Sequence, residues 1–223
     1  MKDLDVREFI YRNLPNIVSI LGVLPLALLF MEGGFQYLIP LIIYNNIMDD
    51  LDGILAVKLN LKSDFGANLD NVCDAVAHIL LVMAVDMRYG GSCALVSLVA
   101  VIAILLRVVS RVSSPPKTAT GSPTNELMRH MLFVLLIANH FNFSPEPFLI
   151  SAFLLNAVSM ILPFPMRYMI RSLTRSATAI GFVNISLVVA WLIPMAVSAV
   201  AFCFLSAYLV SFIAGGVRWL KKT

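Results

Sequence analysis

Between Asn45 and Asp74 the sequence gathers six of its thirteen acidic residues: Asp49, Asp50, Asp52, Asp64, Asp70 and Asp74. Asp52 follows Asp49 by three positions, Ala56 comes four after that, and Gly66, Asp70 and Asp74 fall at successive steps of four. On helices such spacings put each set on one face, so two facing helices would present four carboxylates to one point. Four anions that close repel strongly. Divalent cations relieve the repulsion, and hard oxygen ligands suit Mg²⁺ or Mn²⁺. Gly53, Ala56 and Gly66 beside the acids leave room for a ligand next to the metals. The alternative is a solvated helix end, or acids paired with Lys58 and Lys62. The regular placement, with small residues alongside, favours the metal centre.

The elements that must carry these acids are set by composition. The 223 residues are 60% hydrophobic and 13% charged, with a mean hydropathy of +0.89; an ordinary soluble domain is about 25% charged. The excess apolar surface must face lipid, which excludes a cytosolic enzyme, a disordered chain and a secreted disulfide scaffold. A net charge of +3 without a basic cluster gives no footprint for nucleic acid. Cys73, Cys93 and Cys203 have no metal or redox spacing and read as packing residues. Three acids in the first eight residues, with no small-residue cleavage site ahead, do not resemble a signal peptide. Phe9–Leu14, with Arg7 and Arg12 nearby, predicts a short helix lying on the membrane surface.

Apolar runs at about 16–31, 36–59, 66–86, 92–112, 125–142, 147–165, 177–194 and 197–217 predict eight transmembrane helices. Gly33-Gly34, Tyr89-Gly90-Gly91-Ser92, Ser114-Pro115-Pro116 and Ser144-Pro145-Glu146-Pro147 mark turns between them. Only Pro194 separates the last two runs, so seven helices with one long bent one is the competing count. Lys2, Arg7, Arg12, Lys58, Lys62, Arg107, Arg111, Lys117, Arg129, Arg167, Arg171, Arg175, Arg218, Lys221 and Lys222 all fall on one side of such a layout. Arg88 alone falls on the other. The positive-inside rule then puts both termini in the cytoplasm. No repeat or linker divides residues 1–223 into a second domain.

The stretch Asp49-x2-Asp52-Gly53-x2-Ala56-x9-Gly66-x3-Asp70-x3-Asp74 resembles the signature of the CDP-alcohol phosphatidyltransferases. Leu14-Pro15-Asn16-Ile17-Val18-Ser19 also looks like the segment that opens the first helix in that family. The resemblance implies an all-α membrane fold, usually dimeric, whose members transfer a phosphatidyl group from CDP-diacylglycerol to an alcohol and release CMP. Carried onto this sequence, it implies two metal ions held by Asp49, Asp52, Asp70 and Asp74. Asp74 would double as the general base, and Gly53, Ala56 and Gly66 would make space for the nucleotide. One position departs: the family's Arg after the alanine is Val57 here, and Lys58, one residue on, is about 100° further round a helix.

Lys62-Ser63-Asp64-Phe65-Gly66-Ala67-Asn68-Leu69-Asp70-Asn71 resembles the phosphatidylserine synthase branch. Gly121-Ser122-Pro123-Thr124-Asn125 is similar to that branch's turn before its fifth helix. L-serine is the acceptor so implied, with choline or a polyol phosphate as alternatives. Arg107 and Arg111, four apart, point the same way and could hold a lipid phosphate or the acceptor's carboxylate; snorkelling at a helix end is the simpler reading. Asn46, one turn before Asp49, is a candidate substrate contact, and Lys58 a candidate phosphate contact. His78, His130 and His140 read as packing residues, and Trp219 as an interface anchor. The expected setting is the inner (cytoplasmic) membrane, with the site facing the cytoplasm. A small cation-binding transporter and a family member without activity are the competing functions.

Overall fold

In a computed structural model, which describes residues 6–113, 120–170 and 176–221, several helices start at prolines or serines, and two stop at residues with positive φ. The segments are α1 (Val6–Arg12), α2 (Leu14–Val23), α3 (Leu38–Lys58), α4 (Asp64–Tyr89), α5 (Gly91–Ser113), α6 (Thr124–Phe141), α7 (Glu146–Ile161), α8 (Ala177–Leu192) and α9 (Pro194–Leu220). Proline sits in the first turn of α2, α7 and α9, where its missing N–H costs nothing. Ser63 caps α4 by accepting the Gly66 N–H at 3.0 Å. Gly90 (φ +60°) and Asn142 (φ +54°) end α4 and α6 in conformations open to few other residues.

Each of the eight apolar runs coincides with a helical segment. The first is not uniform: α2 tightens into a 3₁₀ stretch over Leu24–Phe30. Pro25 cannot donate to the Leu21 carbonyl, and the Tyr44 hydroxyl donates to it instead at 3.0 Å. The sixth run stops early, at Ile161, before Pro163 and Pro165. At Pro194 the chain breaks: Ile193 is extended (φ −119°, ψ 93°), and α8 and α9 are separate helices packed on one another. α1 is exposed along its length and turns 67° away from the stretch Leu14–Phe30. The Ser114-Pro115-Pro116 turn, together with Lys2, Lys117, Arg171, Arg175 and Lys222, lies outside the described residues.

α4, α5 and α9 are each long and apolar enough to cross a membrane, and α1 with the segment to Phe30 makes a fourth such stretch. α3 and α6 carry Asp49, Asp50 and Asp52, and Glu126 and Arg129, inside their lengths. α7 and α8, at 16 residues each, are about 24 Å long. The outer faces are apolar, with Leu95, Phe182 and Phe202 about 70% exposed; that surface suits hydrocarbon and not water. The result is an all-helical protein built for a membrane.

α6 is the central element. Thirteen of its 18 residues are buried, and it touches α3, α4, α7 and α9. Its polar first turns are held from inside the bundle. Arg129 Nη1 donates to Glu126 Oε1 at 2.7 Å, both side chains almost wholly buried, and Arg129 Nη2 donates to Asn46 Oδ1 of α3 at 3.1 Å. Asn46 Nδ2 donates to Asn184 Oδ1 of α8 at 2.6 Å, and Asn184 Nδ2 donates to Asp50 at 3.0 Å. One continuous polar chain therefore ties α3, α6 and α8 together. Gly121 (φ +65°) lets the turn before α6 seat directly on α7, since a Cβ there would lie 2.5 Å from the Met160 carbonyl.

Arg129→Leu leaves Glu126 charged, buried and unpaired, and should cost about 3–5 kcal/mol of stability. Adding Glu126→Gln should recover a large part. Thermal unfolding of the purified protein in detergent reads both, and an unchanged midpoint for the single variant would remove the pair from the fold's support.

Candidate active site

The alternating helices α2 to α7 each bring one terminus to the same end of the bundle. Ser19 in the middle of α2 donates to Asp52 near the end of α3. Asn125 at the start of α6 donates to Asp49 Oδ2 at 2.6 Å. Arg107 in the second half of α5 donates to the Met160 carbonyl near the end of α7 at 3.1 Å. α4 contributes its first three turns, from Asp64 to Asp74.

Asp49, Asp70 and Asp74 converge there. Each offers one carboxylate oxygen, and the three oxygens lie within 4.8 Å of one another, with Asp49 buried and the other two half-buried. Three hard anionic oxygens this close, at the rim of an apolar bundle, fit a divalent cation with oxygen ligands. Asp52 is buried beside them, on the next turn of α3, and its Oδ2 accepts from Ser19. Asp50 points the other way, toward Asn184.

Two cavities open at this end, and Asp70 is the residue common to their walls. The first, about 300 Å³, is walled by Asp49, Asp74, Arg107, Arg111 and Asn125. The second, about 490 Å³, is walled by Asp52, Gly53, Ala56, Val57, Lys62 and Gly66. A Cβ on Gly53 would meet nothing within 4 Å, so the space beside that residue is open. One on Gly66 would come within 3.1 Å of Asn16 Oδ1 and Ser63 Oγ, so Gly66 is where α2, the cap of α4 and the cavity wall meet. Pro15, Asn16 and Ser19, from the segment that opens α2, line the same cavity.

The remaining sequence candidates divide. Arg107 and Arg111 do face the acids across one cavity, yet Arg107 is buried and its Nη1 is committed to the carbonyls of Thr120 and Met160, at 2.9 and 3.1 Å. Asn46 is buried, and its bonds run to Arg129, Asn184 and Asp50 within the bundle. Lys58 is exposed and lines neither cavity, whereas Lys62 lines the second together with Val57. His78 is buried on α4, and His130 Nδ1 bonds Asn156 at 2.8 Å. Cys73, Cys93 and Cys203 are free thiols.

Four contributors escape a reading of spacing alone. Asn125 and Ser19 hold two of the acids, and Arg129 and Asn184 brace the helix that carries them. Arg129 counts as a flanking positive charge in the topology argument, but it is inside the protein. Its Glu126 partner three residues away, on a helix starting after Pro123, is the one local signal for the pairing.

Comparison with known proteins agrees with this arrangement. A protein of Aquifex aeolicus (strain VF5), itself uncharacterised, is 33% identical over 87 residues, which are 36% of this chain and 43% of that protein. The chain thus spans less than half the length of that curated relative. The sequence profile of the CDP-alcohol phosphatidyltransferases matches residues 12–165, from the end of α1 to the segment after α7. That is well over half of the chain and includes all four acids and both sets of small residues, so the chain belongs to the CDP-alcohol phosphatidyltransferase family.

Proposed function

We propose that the protein transfers a phosphatidyl group from CDP-diacylglycerol to the hydroxyl of L-serine, releasing CMP, with divalent metal ions as cofactors. The observation that carries this reading is the meeting of the two cavities at Asp70. One is walled by small residues and suits a nucleotide; the other is walled by carboxylates and guanidinium groups and suits a small acceptor. A phosphoryl group held at the junction is reachable from both.

Asp49, Asp52, Asp70 and Asp74 would hold two Mg²⁺ or Mn²⁺ ions, whose chemistry when bound is to polarise the diphosphate and offset charge on the departing CMP. Asp74 accepts the proton of the acceptor hydroxyl. The hydroxyl oxygen bonds to the phosphorus that carries diacylglycerol, and the bond from that phosphorus to CMP breaks. Gly53, Ala56 and Gly66 admit the cytidine nucleotide. Arg111 faces an anionic group on the acceptor or the lipid, and Arg107, with Nη1 held by two backbone carbonyls, adds its positive charge to the same wall. Guanidinium groups pair with a carboxylate or a phosphate, and serine carries a carboxylate whereas choline has no anionic group for them to hold. That supports serine over choline and leaves a polyol phosphate as the alternative acceptor. Lys62, beside Val57, supplies the cation toward the nucleotide phosphates that the sequence lacks directly after Ala56.

The layout we infer is eight crossings with both termini in the cytoplasm, α1 lying at the interface, and the site open to the cytoplasmic leaflet of the inner membrane. There a lipid donor enters sideways and serine arrives from water. A homodimer is the expected assembly.

The protein purified in detergent offers three tests. Asp74→Asn should lower metal-dependent CMP release by about 10²–10⁴-fold with an unchanged melting temperature; substantial residual turnover removes it from the base role. Lys62→Gln should raise KM for CDP-diacylglycerol several-fold, and Val57→Arg in the Lys62→Gln background should lower it again; a KM insensitive to both leaves Lys62 without a part in nucleotide binding. With a panel of alcohols, release should depend on serine. Release with a polyol phosphate in its place keeps the reaction and changes the acceptor.

A further inference from the structure

Residues 162–169, which follow α7, form a two-faced strap. Pro163 and Pro165 keep it out of a helix, and the Gly121 N–H anchors it by donating to the Phe164 carbonyl at 2.9 Å. Met166 and Met169 face the acid-lined cavity. Arg167 and Tyr168 face the opposite way, into a separate cavity of about 410 Å³ that the last turns of α9 close.

This second space is built, not incidental. Gly215 allows α9 to approach, because a Cβ there would fall 2.6 Å from the Phe164 ring. Ser211 Oγ accepts the Tyr168 N–H at 3.1 Å. The Arg218 guanidinium lies over the Tyr168 ring, 5.3 Å from its centre, and donates to the Tyr168 hydroxyl. A ring and a hydroxyl fix its position without cancelling its charge. Arg167 and Lys221 complete a set of three cations in the wall, which carries no acidic side chain among the described residues.

The cations also border an apolar hollow of about 440 Å³ on the outer face of α9. Val210, Ile213, Ala214 and Val217 line it, and Arg218 and Lys221 belong to both walls. A positively charged, aromatic-sided cavity that continues into an apolar trough along a lipid-facing helix has the shape and polarity of a phospholipid. We propose that it binds an anionic phospholipid, the phosphate among Arg167, Arg218 and Lys221 and an acyl chain along Val210, Ile213 and Val217. A free phosphate would satisfy the cations but leave the trough without an occupant. The site lies behind the strap and does not depend on the transferase reading.

Trp219 lines the cavity, and the chain has two tryptophans, so Trp191→Phe leaves a single reporter in place. The full-length variant in phosphatidylcholine vesicles is titrated with phosphatidylglycerol brominated on its acyl chains, and in parallel with brominated phosphatidylcholine. Phosphatidylglycerol should quench Trp219 at several-fold lower mole fraction. Arg218→Gln and Lys221→Gln should each weaken that preference about fivefold, and the double variant should abolish it. Arg218→Lys with Lys221→Arg, which keeps both charges, should retain it and shows that the fold survives changes here. Equal quenching by the two lipids, or a preference that survives loss of both cations, overturns the proposal. So does abolition of the preference by inorganic phosphate alone, which would assign the cavity to a small anion.

Discussion

Holding three ionised carboxylates within 4.8 Å of one another costs about 3–4 kcal/mol per pair at the effective dielectric of a protein boundary. No apolar bundle keeps such a cluster by default, and the surrounding contacts read as answers to it. Asn125 reaches across 76 residues of sequence to donate to Asp49. Ser19 takes up an oxygen of Asp52. Arg107 and Arg111 line the facing wall. Asp50, which could have added a fourth charge from the same turn of α3, is turned toward Asn184 instead. The cluster persists because its neighbours spend their polar atoms on it, and the net charge that remains is the charge a divalent cation would meet.

That demand shapes the interior more than the search for apolar contacts does. The most buried helix, α6, opens with Thr124, Asn125 and Glu126, then Arg129 and His130, all buried. Beyond His130 its buried residues are all apolar, from Met131 to Ala138. The protein is therefore apolar toward one end and tightly hydrogen-bonded toward the other, while the outer surfaces of α5 and α9 are apolar along most of their length. Such a gradient suits the proposed function, in which a charged nucleotide and a lipid would meet at one end of the bundle.

The acids, the small residues beside them and the helix boundaries were legible because each is local. Residues three and four apart on a helix must share a face, Ser63 stands where it can cap a helix beginning at Asp64, and Pro194 marks a break or a bend in any helix that contains it. Charge partnership is not local. Arg129 reads like any basic residue near a connection, because nothing in its neighbourhood announces that Asn46, 83 residues earlier, will face it. Asn46 reads like a substrate ligand for the same reason, one turn from Asp49 on the correct face of α3, until α8 supplies Asn184. The 3₁₀ tightening at Leu24 lies between these cases. Pro25 signals the lost bond, but the Tyr44 hydroxyl that satisfies the carbonyl belongs to another helix.

Arg107 has a consequence for how this protein can be handled. Its Nη1 donates to the carbonyls of both Thr120 and Met160, so a single side chain of α5 ties the turn before α6 to the end of α7. A variant at Arg107 therefore loosens the start of α6, and with it Asn125 and its hold on Asp49, before it tests any contact with a substrate.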